Sequence, residues 1–377
     1  MNQPLTARRF FFWLGGCIVL LLLLLAAAPG IGTEIGAYTW WDAWRARLGS
    51  TLEASELSAR GVGDFDRDGS VSDEEAQAHA ATAKYVGFEL RFPRSLLALQ
   101  VGITLALCGA SLQVLFRNPL ADPYTLGIAS GGALGALLAI RCGCVTSILG
   151  VSTVALSSFL GALGVVGSVF VFAKGSRRLT SNELLLAGVA IGLFCGAMMM
   201  LVTAVSNERV TFEAVRWMMG SLDPIARAPG AKMLPLLLPA WVLLIFYSRS
   251  FNQYRLGDDL AEARGVSVSS LQTIGVIVTT LATAAVVAEC GPIGFVGLVV
   301  PQAVALLVGS DCRILFPASA LMGGAFLILC DWTSQFSMRL AGWATGRHLG
   351  SATLPIGVVT AIVGVPIFLF LLRRRSR

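Results

Sequence analysis

The chain has 377 residues, of which 55% are hydrophobic and 13% charged, and its formal charge is +6. Soluble domains carry about 25% charged residues, so a chain this poor in charge cannot cover a water-facing surface and reads as a polytopic membrane protein. Its Lys and Arg sit at the ends of apolar runs with no interleaved aromatic stripe, which excludes a nucleic-acid footprint and leaves membrane orientation as their role.

In chain order, Arg8 and Arg9 precede an apolar run over residues 10–28. It ends like a signal peptide, in Ala-Ala-Ala-Pro, but it exceeds the roughly 7–15 residues of a signal h-region. More spans follow, so it reads as a retained first helix. A spanning helix needs about 20 mostly apolar residues. Further spans are predicted over 95–116, 124–140, 148–173, 183–205, 232–248, 271–289, 293–308, 315–331 and 355–372. The run 293–308 is short and is expected to be tilted, broken or only partly spanning.

The predicted fold is therefore all-α, a polytopic membrane protein of ten transmembrane helices. Residues 1–47 hold the first helix and the start of an outer loop. Residues 48–84 form an extracytoplasmic insertion, and 85–377 form the remaining transmembrane core. An even helix count puts both Arg-rich ends, Arg8-Arg9 and Arg373-Arg374-Arg375-Ser376-Arg377, in the cytoplasm. The same alternation places Arg117, Lys174, Arg177, Arg178, Arg255, Arg264 and Arg313 inside and the connections 29–94, 206–230 and 332–354 outside, as the positive-inside rule requires. Five helices per half would give halves of opposite sense, the inverted repeat common in transporters.

The connection 29–94 carries the stretch GDFDRDGSVSDEE over residues 63–75, with six acidic side chains. It matches the EF-hand calcium loop in full. Asp64, Asp66 and Asp68 take positions one, three and five, and Gly69 makes the sharp turn. Ser70 offers its carbonyl, Ser72 a hydroxyl or a water, and Glu75 a bidentate carboxylate at twelve. Segments that can be helical flank it, so the insertion reads as an EF-hand-like helix-loop-helix holding Ca²⁺. Cys17, Cys108, Cys195, Cys290 and Cys330 lie within apolar runs as packing residues. Cys142 and Cys144 form a CxC without a nearby His or second Cys pair, a weak metal signal. Glu289, near the end of an apolar span, is either a functional carboxylate or a solvated group at the outer interface. His79 and His348 are far apart and form no catalytic constellation.

Four stretches carry a family resemblance: Arg91-Phe-Pro-Arg94, NPLADP over 118–123, GPIGFVGLVVPQ over 291–302, and LPIG over 354–357. In this order they resemble the membrane permease subunit of ABC importers for iron-siderophores, haem and cobalamin, the FecCD type. The resemblance runs from about residue 88 to the C-terminus. It implies a bacterial inner-membrane protein of ten helices that pairs with a second permease chain, identical or related. A path at their interface would receive substrate from a soluble extracytoplasmic binding protein. ATP would be hydrolysed on separate ATPase chains, and no Lys here sits in a P-loop pattern.

Residue by residue, the resemblance assigns Arg91 and Arg94 to docking carboxylates of the binding protein, which suits the bidentate guanidinium. Gln335 stands where the family carries a further Arg, with Arg339 one turn on, and Gln302 stands where it carries His. Asn118, Leu120, Ser181 and Asn182 fall at the cytoplasmic gate. The stretch 256–270 reads as a short helix stopping at Gly265. The resemblance makes it the ATPase-coupling helix, with Asp258, Asp259, Glu262, Arg264 and Gly265. The competing reading is a calcium-modulated secondary transporter or channel.

Overall fold

In lipid, every backbone N–H and C=O must be satisfied within its own segment, so long uncharged runs fold as helices. The computed structural model describes residues 7–31, 40–49, 53–59, 70–144, 146–148, 151–173, 181–222, 229–345 and 353–375. The helices are α1 Ala7–Ala27, α2 Trp40–Arg47, α3 Ala54–Ala59, α4 Asp73–Lys84, α5 Phe92–Leu115, α6 Ile128–Arg141, α7 Thr153–Ala173, α8 Ser181–Ala204, α9 Glu208–Met218, α10 Pro229–Phe246, α11 Ser248–Tyr254, α12 Asp258–Ala263, α13 Val268–Cys290, α14 Val296–Val308, α15 Cys312–Thr345 and α16 Ile356–Arg375. A small antiparallel hairpin, β1 Ser147–Ile148 with β2 Val151–Ser152, precedes α7.

Among the described residues, seven helices are long and apolar enough to cross a bilayer. The pair α10 and α11, bent by 49°, makes an eighth candidate, and α6 and α14 are shorter apolar helices. These two coincide with the predicted runs 124–140 and 293–308. Two predicted spans are longer than expected. The run 315–331 is part of α15, which extends from Cys312 to Thr345.

The second span also reaches further, continuing toward the N-terminus without a break through α4 to Asp73. Residue 84, the expected boundary of the insertion, lies inside this rod. Proline disfavours the α conformation in the residue ahead of it, which would ordinarily interrupt a helix at Phe92. Here the chain widens instead into a π-helical segment, Tyr85–Arg91, with the N–H of Phe92 reaching Gly87 O. That shift in hydrogen-bond register absorbs a proline in the following turn.

Helix α5 is the hub, buried along most of its length and packed on α15, α14, α13 and α10. Two glycine crossings set its approach. A Cβ on Gly109 would lie 2.0 Å from Gly297 O of α14, and one on Gly102 would lie 2.2 Å from Gly323 O of α15. Lipid gives helices no hydrophobic drive to associate, so close backbone contact through small residues supplies dispersion in its place. By contrast, only 11% of the most apolar window of α8 and 22% of that of α16 are buried within the chain.

Candidate functional site

Three of the four motif stretches, scattered in sequence, meet around the Gly291–Phe295 loop that leads into α14, while Arg91-Phe-Pro-Arg94 lies at the start of α5. After α5, the short 3₁₀ turn Pro123–Leu126 carries Tyr124, whose hydroxyl accepts the N–H of Ile293 at 3.0 Å. Asp122 is buried, its carboxylate beside Gly297 in the first turn of α14, where the helix dipole favours negative charge. At the other side of the Gly291–Phe295 loop, Ser221 N–H donates to Cys290 O at 2.8 Å and Gly357 N–H to Met219 O at 3.1 Å. The GPIG and LPIG motifs thereby share the end of α9.

Within α14, Pro301 lacks the N–H that would close on Gly297 O four residues back. Gln113 of α5 fills the gap. Its Nε2 donates to Gly297 O at 3.1 Å and to Leu298 O at 3.3 Å. Gln302 Nε2 in turn donates to Gln113 Oε1 at 2.6 Å. Gln302, which stands where the resemblance leads one to expect histidine, is thus half of an inter-helix amide pair.

The end of α5 at Leu115 and the segments beside it gather two groups of the expected residues. Asn118 Oδ1 accepts the N–H of Leu120 at 2.9 Å, fixing an Asx turn, and Leu120 is exposed. Ser181 and Asn182 open α8, but their side chains lie outside the described residues, as does the connection 174–180. Helix α12 is the predicted short helix. Asp258 and Asp259 stand in its first turn, where they complement the dipole. It ends through Arg264 at a left-handed Gly265 (φ +82°). The N–H of Val266 reaches Ala261 O at 3.0 Å and that of Gly265 reaches Glu262 O at 2.9 Å, a Schellman stop. Asp259, Leu260 and Glu262 face outward while Ala261 is buried.

Sequence reasoning missed the residues that hold this segment in place. Arg117 Nη2 donates to Tyr254 O at 2.8 Å and pairs with Asp258. Asn252 Nδ2 donates to Asp311 Oδ1 at 2.6 Å and its Oδ1 accepts the N–H of Cys312 at 2.8 Å. The hydrogen bond from Arg313 chiefly holds the Asp311 carboxyl at about 2, below its ordinary value. Apart from the local Arg313–Asp311 pair, these contacts span dozens to more than a hundred residues, and no local spacing signals them. Between them, Gln113, Arg117, Arg255, Pro301, Gln302 and Ser310 help line a cavity of about 350 Å³.

At the opposite end of α5, three of the expected docking residues are engaged inside the chain. Arg91 is buried and its Nη1 donates to Pro29 O at 3.2 Å. Arg94 Nε and Nη2 both lie 2.8 Å from Asp331 Oδ1, and Gln335 Nε2 donates to Asp331 Oδ2 at 2.8 Å. The pair is enclosed, with side chains 13% and 1% exposed. Arg339 lies on α15 with its side chain outside the described residues.

Of the acidic loop, Asp64, Asp66, Asp68 and Gly69 lie outside the described residues. Ser70, Ser72 and Glu75 are described. Ser72 caps α4, Glu75 N–H donating to its Oγ at 3.2 Å, while Ser72 N–H donates to Glu75 Oε2 at 2.9 Å, a reciprocal capping box. Helices α3 and α4 pack on each other through Leu57 and Ala76, with Ala54, Val71 and Ala80 around them. Among the described residues no group of three or more His, Cys, Asp or Glu could hold a metal ion. Cys142 and Cys144 are exposed free thiols.

Residues 69–374 match the FecCD transport family. The cobalamin import system permease protein BtuC of Halobacterium salinarum is 37% identical over 295 residues, 78% of this chain and 75% of that protein. The hemin transport system permease protein HmuU of Yersinia pestis is 33% identical over 293 residues, 77% of this chain and 84% of that one. A solved structure described as an inward-facing conformation of a metal-chelate type ABC transporter superposes with a TM-score of 0.73 at 27% identity. The superposition covers 97% of this chain and 99% of that one.

Proposed function

Since the chain belongs to the FecCD transport family, we propose that it is the membrane-spanning permease subunit of an ABC importer for a metal chelate of the haem, cobalamin or iron-siderophore kind. The reading is carried by the likeness of nearly the whole chain to a metal-chelate type ABC transporter. In this reading the bent pair and the two short apolar helices complete ten spans. Both termini face the cytoplasm of a bacterium and the acidic loop faces outward. The weakly buried α8 and α16 offer surface to a second permease chain. Helix α12, with exposed Leu260 between Asp259 and Glu262, offers a small mixed surface to an ABC ATPase, which performs the hydrolysis. A soluble binding protein delivers the substrate at the outer face. Arg94 takes part in that docking only by exchanging Asp331 for a carboxylate of the visitor.

The test is co-purification with an ABC ATPase, followed by vanadate-sensitive uptake of cyanocobalamin, haemin or a ferric siderophore into proteoliposomes. Uptake that follows an ion gradient and ignores vanadate would favour the secondary-transporter alternative.

The loop Asp64, Asp66, Asp68, Ser70, Ser72, Glu75 holds calcium in this reading. Its support, beyond the template, is that α3 and α4 pack as flanking helices and that Glu75 is turned back toward the loop. An unpaired extracellular hand binds at about 10⁻⁴–10⁻³ M. Tb³⁺ luminescence on the full chain in detergent, displaced by Ca²⁺ and abolished by Asp64→Ala, is the expected result. Identical signals from the two proteins would remove the metal site.

A further inference from the structure

Arg117 follows the last turn of α5 in a left-handed conformation, φ +47°. Around it Asn118 N–H reaches Gln113 O at 3.2 Å, so Arg117 occupies the position after a helix end where glycine is the usual residue. An L-residue there carries steric strain from its Cβ, and strained backbone persists where the surroundings hold it. The surroundings here are the segment α11–α12. The guanidinium donates to Tyr254 O at 2.8 Å and pairs with Asp258. Its central carbon lies 4.5 Å from the centre of the Tyr254 ring. Tyr254 answers from the other side, its hydroxyl donating to Leu115 O at 3.1 Å and accepting from Gln272 of α13 at 3.0 Å.

The ion pair itself is half-exposed, 44% and 37%, and an exposed pair adds little to stability. Position matters more than strength here. Asp258 is the first residue of α12, and Asn118, next to Arg117, begins the turn that presents Leu120. One planar side chain therefore joins the segment assigned to the inner gate to α12 through Asp258 and to the end of α11 through the carbonyl and ring of Tyr254, contacts that fix direction as well as distance.

Resting on the permease reading above, we propose that Arg117 is the positioning residue that transmits movement of α12 to the Asn118–Leu120 turn. Lysine cannot replace it fully, because an ammonium cannot stack and pair in the same fixed plane.

The test uses the assembled transporter with its ATPase in proteoliposomes, with Cys142 and Cys144 changed to Ser and Leu120→Cys as reporter. An impermeant maleimide reads reporter accessibility with and without ATP plus vanadate. The same preparations are assayed for ATP hydrolysis and for uptake of cyanocobalamin and haemin as probes. Expected for Arg117→Gly, which also relieves the left-handed strain, is undiminished thermal stability and continued hydrolysis. The nucleotide-dependent change in labelling is lost, and uptake per ATP falls. Arg117→Lys and Asp258→Asn should lie between. A glycine variant that keeps the labelling change and the uptake ratio overturns the assignment while leaving the permease reading intact. A wild-type protein with no response to ATP overturns both.

Discussion

Replacing Gln113 by Leu asks whether a side chain of α5 completes the hydrogen bonding of α14. Pro301 leaves Gly297 O without its helical donor, and Gln113 supplies that donor while taking one from Gln302. A neutral hydrogen bond nets about 0.5–1.5 kcal/mol, and a buried group left without its partner loses about 1–3 kcal/mol. Measured side-chain bonds between membrane helices average about 0.6 kcal/mol, which pulls the expectation down. Loss of the three contacts should therefore destabilise by about 2 kcal/mol. Equilibrium unfolding in mixed micelles with rising SDS reads this directly. The sharper test is a cycle with Pro301→Ala, which returns an N–H to position 301 and lets α14 bond Gly297 O itself. In that background Gln113→Leu should cost about 1 kcal/mol less, the value of one bond. Equal losses in both backgrounds would refute the idea that Gln113 serves the proline gap.

Three further outcomes are expected. Gly102→Ala places a Cβ 2.2 Å from Gly323 O, a backbone atom that cannot swing away, so the α5–α15 crossing must open at about 1–3 kcal/mol, visible as a lowered unfolding midpoint. Arg94→Ala strands the enclosed Asp331 carboxylate and should destabilise by about 3 kcal/mol; unchanged stability would instead show a guanidinium held in reserve for an outside partner. Asp311 is held at about 2 against an ordinary 3.8. Its contribution is complete above about pH 4 and lost as pH falls toward 2. Stability scans of wild type and Asp311→Asn should differ in slope only over that acid limb.

Hydropathy alone located the seven or eight helices that, among the described residues, are long and apolar enough to span, and the two shorter apolar ones, because lipid leaves the chain few alternatives. The six-residue α12 was equally legible, since its acidic start and Gly265 stop are local. Less legible was the continuity of α4 with α5. Pro93 looks like a boundary, and only the π-helical register before it shows how the helix passes. Gln113 with Pro301, and Arg117 with Tyr254 and Asp258, carry no signal in spacing, because partners on different helices meet only after the bundle forms. Arg91 and Arg94 stood out by motif as expected docking residues, but their engagement with Pro29 O and Asp331 did not. Guanidinium chemistry suits an internal carbonyl or carboxylate as well as a visiting one.

The rod from Asp73 to Leu115 has a mechanical corollary. If the chain pivots at the tight crossing of Gly102, Glu75, 27 positions away along the rod, sits roughly 40 Å from the pivot at helical rise. Each degree of lean about that point would sweep the tip sideways by roughly 0.7 Å. The far end of the rod therefore magnifies rearrangements too small to notice at its pivot.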